Sequence, residues 1–161
     1  MLLLAMGGKE LDARDYIQKE LINLNLLSKE KEDAIREIAQ LMQNAQEVVD
    51  FESFLEDVFE REKLGTTGIG DEIAIPHART DAVNQLIIAI GRSTNGVEFE
   101  SLDGRKVKLL FLMGTPKGSV SHYLNMLAQL TRLLKREPFR EKLLEAKDGE
   151  TVVKLFKEVK D

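Results

Sequence analysis

Cysteine is absent from this 161-residue chain. Disulfides, thiolate nucleophiles and zinc–thiolate sites are excluded together, and a reducing cytoplasm is the compartment expected of such a chain. No long apolar run is present either. The opening Met1-Leu2-Leu3-Leu4-Ala5-Met6 is far shorter than the ~18 residues of a membrane span and has no basic leader, so it reads as a frayed start or a first strand. Direct membrane insertion is not expected, and any part in transport would be indirect. Nor is there an excess of positive charge: 23 Lys and Arg stand against 28 Asp and Glu, for a net charge of -5. The two signs are interleaved along the chain, which leaves no basic stripe for a nucleic-acid backbone. We find no repeat, linker or low-complexity segment.

What remains is the composition of one compact domain. Hydrophobic residues make up 43%, enough for a substantial core at this length. Ser28 followed by Ala34, Ile35, Ile38, Leu41 and Met42 predicts a first helix beginning near Ser28. From about Asp50, Phe51, Phe54, Leu55, Val58 and Phe59 form an i, i+3, i+4, i+7, i+8 stripe, a second helix whose phenylalanines read as core and which ends at Leu64-Gly65. The pattern then turns to strands at Glu72–Ile75, Gln85–Gly91, Val97–Glu100 and Lys106–Met113, with turn signals at Asn95-Gly96 and Asp103-Gly104. Leu86 to Ile90 and Leu109 to Met113 are nearly continuous apolar runs, as in strands covered on both faces. A helix follows, capped by Ser119 or Ser121, with Tyr123, Leu127, Leu130 and Leu134 on one face and Met126 and Leu133 beside it. Two short helices close the chain, Glu137 to Ala146 and about Asp148 to Val159. With a further strand placed near Leu11 to Ile17, the fold class is α/β: a single compact domain whose central mixed β-sheet has helices on both faces.

The chain has two histidines, and one of them ends a Gly-rich turn and a short apolar strand: Thr67-Gly68-Ile69-Gly70-Asp71-Glu72-Ile73-Ala74-Ile75-Pro76-His77. A ring just after a proline of fixed φ has a restricted approach direction, which suits a presented nucleophile. Neutral imidazole is nucleophilic near pH 7 and forms covalent intermediates. Phosphoryl transfer fits it, because that reaction asks for in-line placement and donors that balance charge on the equatorial oxygens. Thr66, Thr67, Gly68 and Gly70 could offer hydroxyls and backbone N–H groups to an anion. The spacing matches neither G-x-G-x-x-G nor G-x-x-x-x-G-K-[ST], so nucleotide binding is not expected. Arg61, between Glu60 and Glu62, could reach back to a phosphoryl group with its planar fork, though by itself it reads as a solvated helix residue. His122 at a helix start could donate to a phosphoryl oxygen, or be a plain helix-start histidine. A metal site would need a third ligand such as Asp71 or Asp81, and no His-x-x-x-His spacing supports one. A serine hydrolase through Ser119 or Ser121 lacks the G-x-S-x-G elbow.

Arg61-Glu62, the segment Gly68-Ile69-Gly70 through Ile75-Pro76-His77, and His122-Tyr123-Leu124-Asn125-Met126-Leu127 occur in the order found in a known family. The chain resembles, from about residue 11 to 159, the enzyme IIA domains of the bacterial phosphoenolpyruvate-dependent sugar phosphotransferase system, fructose/mannitol class. The resemblance implies a phosphotransferase relay without metal or cofactor. His77 would accept a phosphoryl group from phosphorylated HPr and pass it to a cysteine of an enzyme IIB domain, itself linked to a membrane IIC component. It also implies that Arg61 balances phosphoryl charge and that His122 lies beside His77 and hydrogen-bonds the group. Two positions depart from the commonest pattern: Ala78-Arg79 where Gly is frequent, and Ser121 before His122 where Glu often stands. Nitrogen-type members keep the histidine but use its charge state to control other proteins; Leu109 to Leu112 and Leu124 to Leu134 resemble the fructose-type members more.

Overall fold

The computed structural model describes residues 11–160. The possible strand within residues 1–6 lies outside the described residues. Five α-helices and a six-stranded mixed sheet make up the described fold. The strands are β1 (Ile22–Asn23), β2 (Gly68–Gly70), β3 (Ile73–Ala74), β4 (His77–Arg79), β5 (Ile87–Val97) and β6 (Val107–Thr115). Their order is β1-β5-β6-β3-β2, with β4 also on β6; β5 and β6 are antiparallel, while β1 on β5 and β3 and β4 on β6 are parallel. The helices are α1 (Lys31–Ala39), α2 (Phe51–Lys63), α3 (Val120–Leu134), α4 (Glu137–Glu145) and α5 (Gly149–Glu158).

The continuous apolar runs divide by parity between two cores. Ile87, Ala89, Leu110 and Leu112 face α1 and α2, against Ile35, Ile38, Phe54 and Val58. Ile88, Ile90, Leu109, Phe111 and Met113 face α3, α4 and α5, against Met126, Leu130, Phe139 and Phe156. Successive strand side chains point to opposite faces, so a run buried on both sides needs no alternation. Helices therefore cover both faces, as the sequence pattern predicts.

Several boundaries move, each for a local reason. Helix α1 starts at Lys31 rather than near Ser28, because the backbone at residues 29–30 is held extended against Glu98: Glu98 N donates to Lys29 O at 2.8 Å and Glu30 bridges Glu98 in parallel. Ser28 is no cap; its hydroxyl donates to Glu37 at 2.7 Å. The strand expected over Leu11 to Ile17 is instead a 3₁₀ turn at Ala13–Tyr16, where the Asp12 carboxylate accepts from Arg14 N and offers the backbone a local alternative to a ladder. Asn95-Gly96 makes a bulge inside β5, not a turn between strands. Gly96 sits at φ 89° with its N–H on Ser93 Oγ, and the register slips before Val97 meets Val107, so no separate strand runs from Val97 to Glu100. Asp50 caps α2 as expected, accepting from Ser53 N at 3.1 Å.

Strands β3 and β4 are two pieces of one track along β6. Ile73 pairs Leu109, Ala74 pairs Leu110, and after Ile75-Pro76 the same register resumes with His77 on Met113. Gly114 pairs Ala78 in this track and leaves room for α2: a Cβ there would lie 2.7 Å from Phe54 Cε1 and 3.2 Å from Val83 Cγ1. Phe54 is fully buried and cannot retreat. We predict that Gly114→Ala lowers stability by about 1–3 kcal/mol in urea unfolding; an unchanged midpoint would show that α2 does not need this close approach.

Candidate functional site

Ile75, at the interruption before β4, is where the site begins. Its N–H donates to Thr67 O at 3.0 Å, on the side away from β6, where the pairing with β2 runs out. The Ile75 carbonyl points to the same side and meets His77 Nδ1 at 2.8 Å. A carbonyl only accepts, so Nδ1 carries the proton and the lone pair of the neutral ring is at Nε2. Nε2 lies 3.0 Å from the Tyr123 hydroxyl, which is therefore the donor in that pair. His77 is 5% exposed. Burial is the main influence on its basicity and pushes its pKa below the usual 6.5; the Ile75 carbonyl pulls upward, the Arg61 charge downward and the Glu62 charge upward. Burial thus favours the neutral ring, with its lone pair turned to the Tyr123 hydroxyl.

Around His77 a pocket is lined by Asp57, Glu60, Arg61 and Leu64 of α2 and its end, by Arg79 of β4, by Lys117, and by Tyr123 of α3. The cations dominate its free valence. The Asp57 carboxylate accepts from Thr80 Oγ1 at 2.6 Å and Glu60 pairs Lys63 at 2.7 Å. Arg79 lies over the Tyr123 ring, 5.5 Å from its centroid. Arg61 donates to Gly65 O at 2.9 Å, folded over the end of its own helix with its fork beside the pocket. An anion entering here meets Arg61, Arg79 and Lys117 beside the imidazole, with the Asp57 and Glu60 carboxylates on the same wall held by Thr80 and Lys63.

Arg61 is aimed by its neighbour. One residue on, Glu62 turns inward, 8% exposed, and accepts from Thr67 N at 2.9 Å, Thr67 Oγ1 at 2.7 Å and Lys31 Nζ at 3.0 Å. A buried carboxylate with three donors is a satisfied one. It fastens the end of α2 to the turn that leads into β2, and so fixes where Arg61 emerges.

Of the residues singled out in the sequence, Arg61 and His77 come together. The turn residues do not line this pocket. Thr67 spends its hydroxyl on Glu62, Thr66 Oγ1 donates to Phe99 O and accepts from Gly68 N, and Gly68 and Gly70 pack against Ser101 and Asp103. Their role in this structure is to build the turn. His122 is exposed and lines a separate depression with Asn84, Gln85, Thr115 and Ser119. One step along a helix is about 100°, so His122 and Tyr123 cannot face the same way, and the place beside His77 is taken by Tyr123. The sequence pattern marks Tyr123 only as a member of the α3 apolar face. In the structure the fully buried face is Met126, Leu130, Leu133 and Leu134, which leaves Tyr123 half-buried at its edge.

Among the described residues no helix is long and apolar enough to cross a membrane. Residues 15–159 match the family model described as "Phosphoenolpyruvate-dependent sugar phosphotransferase system, EIIA 2". The chain is 41% identical to the fructose-specific EIIA component of Haloferax volcanii over 140 residues, 87% of this chain and 91% of the relative. It is 39% identical over 142 residues to the fructose-specific EIIABC component of Bacillus subtilis; this is 88% of the chain but only 22% of that longer relative. The crystal structure of nitrogen regulatory protein IIA-Ntr from Neisseria meningitidis superposes with a TM-score of 0.83 at 28% identity, over 89% of this chain and 97% of that one. The match over nearly the whole described fold and the relative aligned almost end to end lead to one conclusion: this chain belongs to the type 2 enzyme IIA family of the phosphoenolpyruvate-dependent sugar phosphotransferase system, phosphotransferases that relay phosphate through a histidine.

Proposed function

We propose that the relay histidine is His77 and that Nε2 is its nucleophilic atom. The observation that carries this is the Nδ1 bond to the Ile75 carbonyl, which leaves the lone pair at Nε2 beside Arg61, Arg79 and Lys117. In the step, the Nε2 lone pair forms a bond to phosphorus as the donor's bond to phosphorus breaks and its electron pair returns to the donor. No proton need leave: Nδ1–H stays, the ring becomes cationic, and the Ile75 carbonyl accepts a stronger, charge-assisted bond. The pocket cations oppose the charge on the equatorial oxygens, with Arg61 suited to a bidentate grip.

The proposed donor is phosphorylated HPr and the proposed acceptor a cysteine of an enzyme IIB domain linked to a membrane IIC component, with the chain working in the cytoplasm as one IIA unit. Both partners must approach Nε2 in line, so they use one face in turn. The fructose-specific names of the two sequence relatives favour a place in sugar uptake of that type. The likeness to a nitrogen regulatory protein supports a second reading, in which the charge state of His77 controls a partner protein. His122 keeps the role its resemblance implies only if its side chain turns toward the pocket when the phosphoryl group is present.

Labelled phosphate supplied through phosphoenolpyruvate, enzyme I and HPr is expected to give an acid-labile adduct on the wild type and none on His77→Ala; label on a folded His77→Ala variant would move the site elsewhere. Arg61→Lys, a point charge in place of a fork, is expected to slow single-turnover transfer by about tenfold, the worth of one charge-assisted hydrogen bond. A protonated ring has no lone pair at Nε2, and His77 is depressed below 6.5, so kcat/KM should be flat near neutrality and fall only as pH drops below about 6.5. A fall beginning well above that value would contradict the buried, neutral ring.

A further inference from the structure

Tyr123 stands where the phosphorus must arrive. Its hydroxyl is 3.0 Å from Nε2, along the lone pair, and its ring centroid is 5.4 Å from that of His77 with the planes tilted by 46°. It is held lightly. The side chain is half-buried at the edge of the α3 core face, in the first turn of the helix, and Ser119 makes no side-chain capping bond there. The Arg79 guanidinium lies over the ring, 5.5 Å from its centroid. In-line attack by Nε2 requires the hydroxyl to leave the lone pair, and Tyr123 lines the pocket into which it would have to turn.

We propose that Tyr123 is a catalytic residue of the relay: its hydroxyl caps Nε2 in the resting protein and passes to an equatorial oxygen of the phosphoryl group during transfer. The proposal rests on the reading of His77 as acceptor and adds the group that hands over the lone pair. A hydroxyl on neutral imidazole is an ordinary hydrogen bond; the same hydroxyl on a phosphoryl oxygen is charge-assisted and about twice as strong. An interaction that strengthens between ground and transition state accelerates the chemical step. Arg79 contributes at both ends of the movement, since its guanidinium lies over the Tyr123 ring and lines the pocket that the incoming oxygens enter. In transfer onward, the hydroxyl returns to Nε2 as the phosphorus departs, so the neutral His77 ring is restored without any exchange of protons with solvent. The bond that forms and the bond that breaks are those of the relay itself, and the Tyr123 proton stays on its oxygen throughout.

The test is single-turnover transfer from phosphorylated HPr to wild type and to Tyr123→Phe, with the His77 ring of each titrated by NMR. Phenylalanine keeps the ring and its packing on Arg79. The expected result is a rate constant at saturating donor about tenfold lower, with the donor's apparent Kd unchanged. A merely structural role would not also move the titration. The hydroxyl donates to the neutral ring but accepts a stronger, charge-assisted bond from the protonated one, so its loss should lower the His77 midpoint by roughly 0.5 to 1, against the background of Asp57, Glu60, Arg61, Glu62, Arg79 and Lys117 that surround it in both proteins. Wild-type rates with an unchanged midpoint in Tyr123→Phe would overturn the proposal, as would faster transfer, which would make the hydroxyl an obstruction only. If the wild type itself takes no label at His77, the acceptor assignment fails first and is recognised separately.

Discussion

The hydrogen bond from His77 Nδ1 to the Ile75 carbonyl is the constraint on which the rest of the site depends. It is a bond across two residues, and it exists because a sheet edge ends there. Ile75 is still tied to Thr67 on one side, Pro76 has no N–H to extend the ladder, and Met113 N takes the Pro76 carbonyl on the other side. The Ile75 oxygen has no strand to meet and takes the imidazole instead. Tautomer, ring orientation and the position of the lone pair follow from that single contact.

The wider fold delivers charge to the place so defined. Helix α2 crosses β4 closely because Gly114 has no side chain, and its end is anchored inward by Glu62 on Lys31 and Thr67. With Glu62 satisfied inside, Arg61 is left outside, next to His77. On the other face α3 begins just past the end of β6, so its first turn sets Tyr123 against the imidazole. Two helices on opposite faces of the sheet thus meet over one histidine at the sheet's end. Under the proposed reading, what this type 2 enzyme IIA chain brings to the relay is an imidazole whose Nε2 meets the Tyr123 hydroxyl at the edge of a pocket bordered by Arg61, Arg79 and Lys117.

Much of this was legible in the sequence, and the misses have physical causes. The parity of Leu109 to Met113 and the stripe of Phe54, Leu55 and Val58 declare two covered faces, since those patterns are set by covalent geometry alone. His77 was marked by Pro76 and by the glycines before it. Thr66, Thr67, Gly68 and Gly70 resemble an anion cradle in sequence, but whether a hydroxyl faces a ligand or a neighbour is decided by the partner the fold brings to it, here nearby Glu62 for Thr67 and distant Phe99 for Thr66. Tyr123 and His122 differ by one helical step, and choosing between them needs the phase of α3, which its uncapped start does not announce. The shifted start of α1 likewise depends on Glu98, far along the chain.

The central claim is that Ile75 fixes the proton on Nδ1 and so makes Nε2 the atom that takes the phosphoryl group. A long-range proton–nitrogen correlation spectrum of the phosphorylated protein tests this directly, because it distinguishes the two ring nitrogens. The account predicts phosphorus on Nε2 with Nδ1 still protonated. A phosphoryl group on Nδ1 would contradict it, since the Ile75 bond could not then exist in the working protein.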